Sequence, residues 1–277
     1  MINSYLTIKE ASEYLKIPIK YLENYSKKGH EIDIVKIGRR NMMSLESLDN
    51  WKKQREFGLT ILNKDNYLQC INFAIRSFYH YRSTSDFGTS QQRDAGKFIS
   101  NFVLGKLGEI AISKFVKQNF DVDIYLDFDL RDAVVGQDIV EIAKPRRGGR
   151  VYNPPSLRVA IKTSKMKNVW LIVPQNEAED STRKSDIYIY CRVDLYLNHF
   201  IRFLKDHHSF LNISEIIPDF EDIQAEVCGF TTFDDLISSP PVKTLPDQDQ
   251  AIQSSYIMRS GVLKKSVHDW SSFIEQL

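Results

Sequence analysis

The sequence predicts a mixed α/β fold preceded by a small helical domain, and three observations carry the prediction. Two short helices joined by a tight turn occupy the first thirty or so residues. Apolar residues Phe98, Phe102, Val103, Leu107, Ile110, Ala111 and Phe115 then recur at spacings of three to four, the signature of a helix with one buried face. Beyond them, runs such as Val159-Ala160-Ile161-Lys162 and SDIYIYCRVDL alternate or concentrate β-formers as strands do. A chain of 277 residues is long enough for two domains, one of them with a sizeable core. The expected division is 1–57, a small helix-turn-helix domain; 58–94, a helical linker with a helix from about Lys64 to Tyr81; and 95–277, the α/β body.

The N-terminal segment begins with Thr7 as helix cap and Glu10 three residues later, a capping box, followed by Ala11, Tyr14 and Leu15 on one face. A turn at Ile17-Pro18 opens a second helix that runs to about Lys27 and ends at Gly29. The stretch IDIVKIGRRNMMS reads as a two-stranded wing with Gly38-Arg39-Arg40 at its tip, and a closing helix carries Leu45, Leu48 and Trp51. With its "LTIKEASEYL", tight turn and "IGRR", this segment resembles the winged helix of the excisionase and MerR-like family. The resemblance implies a second helix lying in the DNA major groove, with Lys20, Tyr21, Asn24 and Lys27 as groove contacts and Arg39 and Arg40 on phosphate. Tyr21 has an alternative role in packing beside Leu22 and Tyr25, and modules of this kind also serve as protein-binding or dimer-forming elements.

In the body, Glu109, Asp138 and Lys162 follow one another in the order GKLGEIA, GQDIVEI and LRVAIKTSK. Phosphodiester cleavage at a hard cation needs converging carboxylates. Positions 160 and 162 share a strand face, and pairing of the Asp138 run with this strand as a hairpin would bring the three sites to one end of a sheet. The arrangement resembles the PD-(D/E)XK nuclease superfamily, more narrowly the type II restriction endonucleases with a mixed central sheet flanked by helices. By that resemblance Asp138 binds metal, Lys162 orients or stabilises the attacking water, Glu109 is the helical glutamate and second ligand, and the cofactor is Mg²⁺. Ala160 departs from the pattern, since it stands where the second carboxylate belongs. Three explanations are open: a carboxylate replaced by alanine, a carboxylate moved to Glu109 or Glu141, or a nuclease-like domain that only binds DNA.

Between Ile142 and Asn176 lie eight Lys or Arg residues and no acidic one, in a chain with 37 basic and 36 acidic residues and net charge +1. This local bias fits a surface that meets phosphates, with Arg146, Arg147, Arg150, Lys165 and Lys167 as DNA contacts. The competing reading is a solvated hairpin loop, because PRRGGRVYNPPS is rich in turn formers. An acidic stretch from Asp206 to Asp249 balances it.

Cys70, Cys191 and Cys228 are odd in number and without paired spacing, which argues against a disulfide framework or zinc site and fits a reducing cytoplasm. No long apolar run or export signal is present, so no membrane association is expected. His80 is expected to pack among aromatics, and the His207-His208 pair to lie at the surface. The function expected is Mg²⁺-dependent, site-specific cleavage of double-stranded DNA by a homodimer, with a cognate DNA methyltransferase as partner in the same system. The alternatives are a non-catalytic DNA-binding regulator and a structure- or modification-directed nuclease.

Overall fold

The computed structural model describes residues 5–27, 31–81, 94–130, 137–146, 149–205, 216–246 and 250–277. Its first part runs β1 (Tyr5–Thr7), α1 (Ile8–Leu15), α2 (Ile19–Tyr25), β2 (Val35–Ile37), β3 (Arg40–Ser44) and α3 (Leu45–Gly58). The capping box forms as expected, with the Thr7 side chain accepting from the Glu10 amide and Glu10 reaching back to the Thr7 amide. The wing is a three-stranded antiparallel sheet in the order β1-β3-β2, and its tip residue Gly38 adopts φ +61°, a left-handed turn that glycine enters without strain. The expected helix end at Gly29 lies outside the described residues.

The body continues with β4 (Leu59–Leu62), α4 (Lys64–Tyr81), α5 (Ala95–Phe120), β5 (Asp123–Leu126), β6 (Ile139–Ala143), β7 (Pro145–Arg146) and β8 (Gly149–Arg150). There follow β9 (Val159–Lys165), β10 (Trp170–Pro174), α6 (Gln175–Ala178), β11 (Ile187–Val193) and α7 (His199–Lys205). The chain ends with β12 (Ile223–Thr232), α8 (Phe233–Leu236), β13 (Val242–Leu245), β14 (Gln250–Arg259) and α9 (Val267–Gln276). A central mixed sheet has the order β4-β12-β11-β9, in which β11 runs parallel to β9 and antiparallel to β12. All seven residues of β11 are buried, because helices and a second sheet cover its two faces; the latter has the order β10-β14-β13. The fold is therefore mixed α/β with a small N-terminal helix-turn-helix region, as the sequence implies.

Helix α5 covers one face of the central sheet and buries Phe98, Val103, Leu107, Ile110, Ala111 and Phe115, the residues whose spacing announces it. Helix α4 occupies the expected span and packs on α5 through Tyr67, Cys70, Ile71 and Ala74. Residues 59–81 are not a free-standing linker, since β4 pairs with β12 in the central sheet. His80 is exposed rather than partly buried.

The expected hairpin between the Asp138 run and β9 does not form. Strand β6 pairs with β5, its other edge meets Asn153 at the Ile142 bridge, and β9 takes β11 as its parallel partner. Contact between the two runs survives at Asp138, whose amide donates to the Val159 carbonyl at 3.2 Å.

Candidate functional site

The site is built where α5, the start of β6, β9 and α6 converge. Helix α5 approaches β9 closely at Gly108, where a Cβ would sit 1.9 Å from the Thr163 hydroxyl. A glycine is required at this crossing, and it brings the next residue, Glu109, down against the sheet. Glu109 is buried, and its carboxylate pairs with the Lys106 ammonium at 2.7 Å. Lys106 also donates to the Asp127 carbonyl at 2.6 Å. Burial pushes the Glu109 carboxyl up to about 8, outweighing Lys106, and the nearby Asp138 charge adds to the rise. Glu109 is committed to Lys106 rather than presented as a second ligand.

Asp138 stands just before β6 and its carboxylate accepts the Ile161 backbone N–H at 2.6 Å. That bond fixes the carboxylate one residue from Lys162 on β9. Burial raises its pKa, while the Lys162 ammonium and the Ile161 hydrogen bond oppose the rise. The Lys162 ammonium lies 2.6 Å from the carboxylate of Glu177 on α6, with the two side chains 25% and 12% exposed. The charge of Glu177 in turn raises the pKa of Asp138, so the three groups share one electrostatic environment.

Ala160 points into an apolar cluster with Leu171, Val173, Tyr188 and Ala178, the residue that follows Glu177. It is 5% exposed, so a carboxylate at 160 would displace packed side chains. The acidic group beside the lysine comes instead from α6. Neither Glu109 nor Glu141 supplies it, since Glu109 faces Lys106 and Glu141 lies within the β5–β6 ladder opposite Tyr125.

Asp138 and Glu177 are hard oxygen donors that each interact with Lys162, the donor type that Mg²⁺ takes together with water and substrate phosphate. It does not fit a cage made by protein alone, since no group of three or more His, Cys, Asp or Glu side chains converges among the described residues.

The basic segment is partly used up internally. Arg150 pairs with Asp121 and, at 2.9 Å, with Asp123, so it braces the end of α5 instead of offering its guanidinium outward. Arg158 donates to the carbonyls of Ser181 and Thr182, and Lys144 to that of Glu275. Lys165 and Lys167 are exposed at the end of β9 and in the turn after it. The Arg146 side chain and all of Arg147 lie outside the described residues.

The N-terminal domain is docked on the body through the helix expected to read DNA. Asn24 donates to the Lys167 carbonyl at 3.0 Å, Tyr25 to the Met166 carbonyl at 2.6 Å, and Tyr21 to the Asp194 carboxylate at 3.3 Å. Tyr21 and Asn24, both half-buried, thus spend their polar ends on the body, on Asp194 after β11 and on the turn after β9. Lys20 is exposed at the start of α2, Lys27 is half-buried, and Arg39 and Arg40 are exposed on the wing. Residues 5–56 match the helix-turn-helix domain family. The N-terminal segment is a helix-turn-helix domain. No curated protein and no solved structure matches the chain.

The helix-turn-helix domain is further anchored by a network that the sequence reading missed. Glu31 pairs with Arg192 of β11 at 2.8 Å and accepts from Trp51 Nε1 at 2.8 Å and from the Ser260 hydroxyl. Arg192 also pairs with Glu226, which holds Arg55 of α3 at 3.0 Å. The Arg192 side chain is 0% exposed. Although burial disfavours its charge, the Arg192 guanidinium and the hydrogen bonds hold the Glu31 carboxyl down at about 2. The signal available in the sequence was a lone arginine inside IYIYCRV, which demands a buried partner. His199, buried and bonded to the Tyr67 hydroxyl at 2.6 Å, was also missed; it sits in an aromatic cluster and burial lowers its pKa to about 4. All three cysteines are buried free thiols, and no described helix is long and apolar enough to cross a membrane.

Proposed function

We propose that the chain is a DNA-acting protein whose body carries a Mg²⁺-dependent phosphodiester-cleaving centre formed by Asp138, Lys162 and Glu177. The observation that carries this reading is the Asp138 carboxylate pinned to the Ile161 amide, one residue before a lysine that faces a second carboxylate. A mixed central sheet covered on one face by α5, which carries the buried Glu109, is compatible with the nuclease superfamily that the motifs resemble. The helix-turn-helix domain supports double-stranded DNA as the substrate class.

When bound, the ion polarises a phosphate oxygen and lowers the pKa of a water. Asp138 and Glu177 are the residues that would hold it. The Lys162 ammonium, next to both carboxylates, would steady negative charge developing on the phosphate. Lys106, which holds Glu109 at 2.7 Å, adds a positive charge that lowers the pKa of Asp138. A homodimer cutting both strands of a two-fold site, as a restriction endonuclease does, is the specific form of this proposal.

The test is Mg²⁺-dependent cleavage of plasmid and linear duplex DNA by the chain and by Asp138→Asn, followed by ligation of the products. Discrete, ligatable fragments from the chain alone are expected. The apolar packing of Ala160 favours a second reading, a DNA-binding regulator on a nuclease-like body; tight DNA binding without cleavage by either protein would select it.

A further inference from the structure

We infer that the helix-turn-helix domain uses its second helix as an intramolecular clasp and meets DNA through its wing; this rests on the DNA-acting reading above. The inner side of α2 is spent on the body. Tyr21, Asn24 and Tyr25 are each hydrogen-bonded to residues 166–194, and the Tyr25 ring lies 4.5 Å from the Arg192 guanidinium. Tyr25 and Trp51 also share one apolar core with Val169, Trp170 and Leu245 of the body.

The two kinds of contact do different work. Apolar burial stabilises the docked arrangement, whereas buried ion pairs contribute little net stability but specify one geometry. Here the Glu31–Arg192–Glu226 network fixes which face of the domain meets the body, and that face contains the helix a groove would need. Releasing α2 would uncover the shared core, so docking persists when DNA arrives.

The wing is open to solvent. Residues 33–41 are exposed throughout, and within them Lys36, Arg39 and Arg40 stand opposite a single acidic residue, Asp33. Strand β2 lies at one edge of its sheet. A hairpin of this size carrying three cations suits phosphate contacts along a groove and carries little base-edge readout.

The experiment uses the full chain with a mixed-sequence DNA duplex as probe. Affinity and its salt dependence are measured for the chain, for Asn24→Ala and for Arg39→Ala/Arg40→Ala, with thermal melting of each and hydrogen exchange with and without DNA. Asn24→Ala is expected to lower the melting temperature while keeping affinity within about twofold. The wing variant is expected to melt normally, to bind roughly tenfold more weakly and to lose about one to two units of salt slope. DNA should protect residues 34–42 and leave exchange in α2 unchanged. The inference is overturned if Asn24→Ala loses affinity without losing stability, if DNA speeds exchange at α2 and residues 166–168, or if binding survives the wing variant intact. Absence of DNA binding by the unaltered chain would instead overturn the DNA-acting reading, and the inference with it.

Discussion

Lys162 and Glu177 lie 2.6 Å apart across the β9–α6 contact, and this pair places a carboxylate beside the lysine where the strand itself offers only the methyl of Ala160. The carboxylate comes from a four-residue helix packed on the same face as Ala160. Position 160 is filled by apolar neighbours, so the acidic group belongs to the architecture around the strand and not to the strand.

Glu109 gives a pH signature with a defined sign. Its pKa is raised to about 8 in the folded protein against an ordinary value near 4.5, so the folded state holds more protons than the unfolded state between those values. Stability should fall as pH rises through that window, and Glu109→Gln should flatten the fall. Chemical denaturation of both proteins at pH 5 and 8 checks this; an unchanged slope would show that Glu109 does not carry the buried proton.

Arg192 holds two buried carboxylates at once. Arg192→Met should leave Glu31 and Glu226 buried without a cation and cost about 3–5 kcal/mol, read by denaturant midpoint. Adding Glu31→Gln and Glu226→Gln should recover much of the loss, because neutral amides at those sites need no counter-charge. Below about pH 4.5 the unaltered clasp should also weaken, since Glu31 is held near 2 and its contribution is lost as pH falls toward that value.

Gly108 sets the distance between α5 and β9. Gly108→Ala would drive a methyl into Thr163 and should cost about 1–3 kcal/mol by overpacking. Thr163→Ala in the same chain should relieve part of it, because the Thr163 hydroxyl and methyl, 1.9 and 2.7 Å from the added Cβ, are then gone. Full additivity of the two substitutions in melting experiments would contradict the close approach.

Much of this architecture was legible in the sequence wherever local signals act alone. The capping box at Thr7 and Glu10, the α5 stripe and the α4 span depend on spacing within one element, and each forms where that spacing puts it. Pairings over long separations were not legible. The Asp138 run was expected to pair with β9, but Asn153 takes the edge of β6 and β11 takes β9, both choices made by segments whose register no local pattern encodes. Glu177 went unnoticed for the same reason, being fifteen residues beyond Lys162 in a short helix with no motif of its own. Tyr21 and Asn24 read as groove contacts because the family pattern describes a free domain, whereas here the body supplies their partners.

Relocating the charge tests the proposed centre most directly, by following Mg²⁺-dependent plasmid cleavage and Mn²⁺ binding in the chain, in Glu177→Gln and in Glu177→Gln/Ala160→Glu. The account predicts that Glu177→Gln loses cleavage on the order of a hundredfold and weakens Mn²⁺ binding, and that Ala160→Glu, set among packed apolar side chains, restores neither. Cleavage by Glu177→Gln equal to that of the unaltered chain, or no Mg²⁺-dependent cleavage by any of the three, would contradict it.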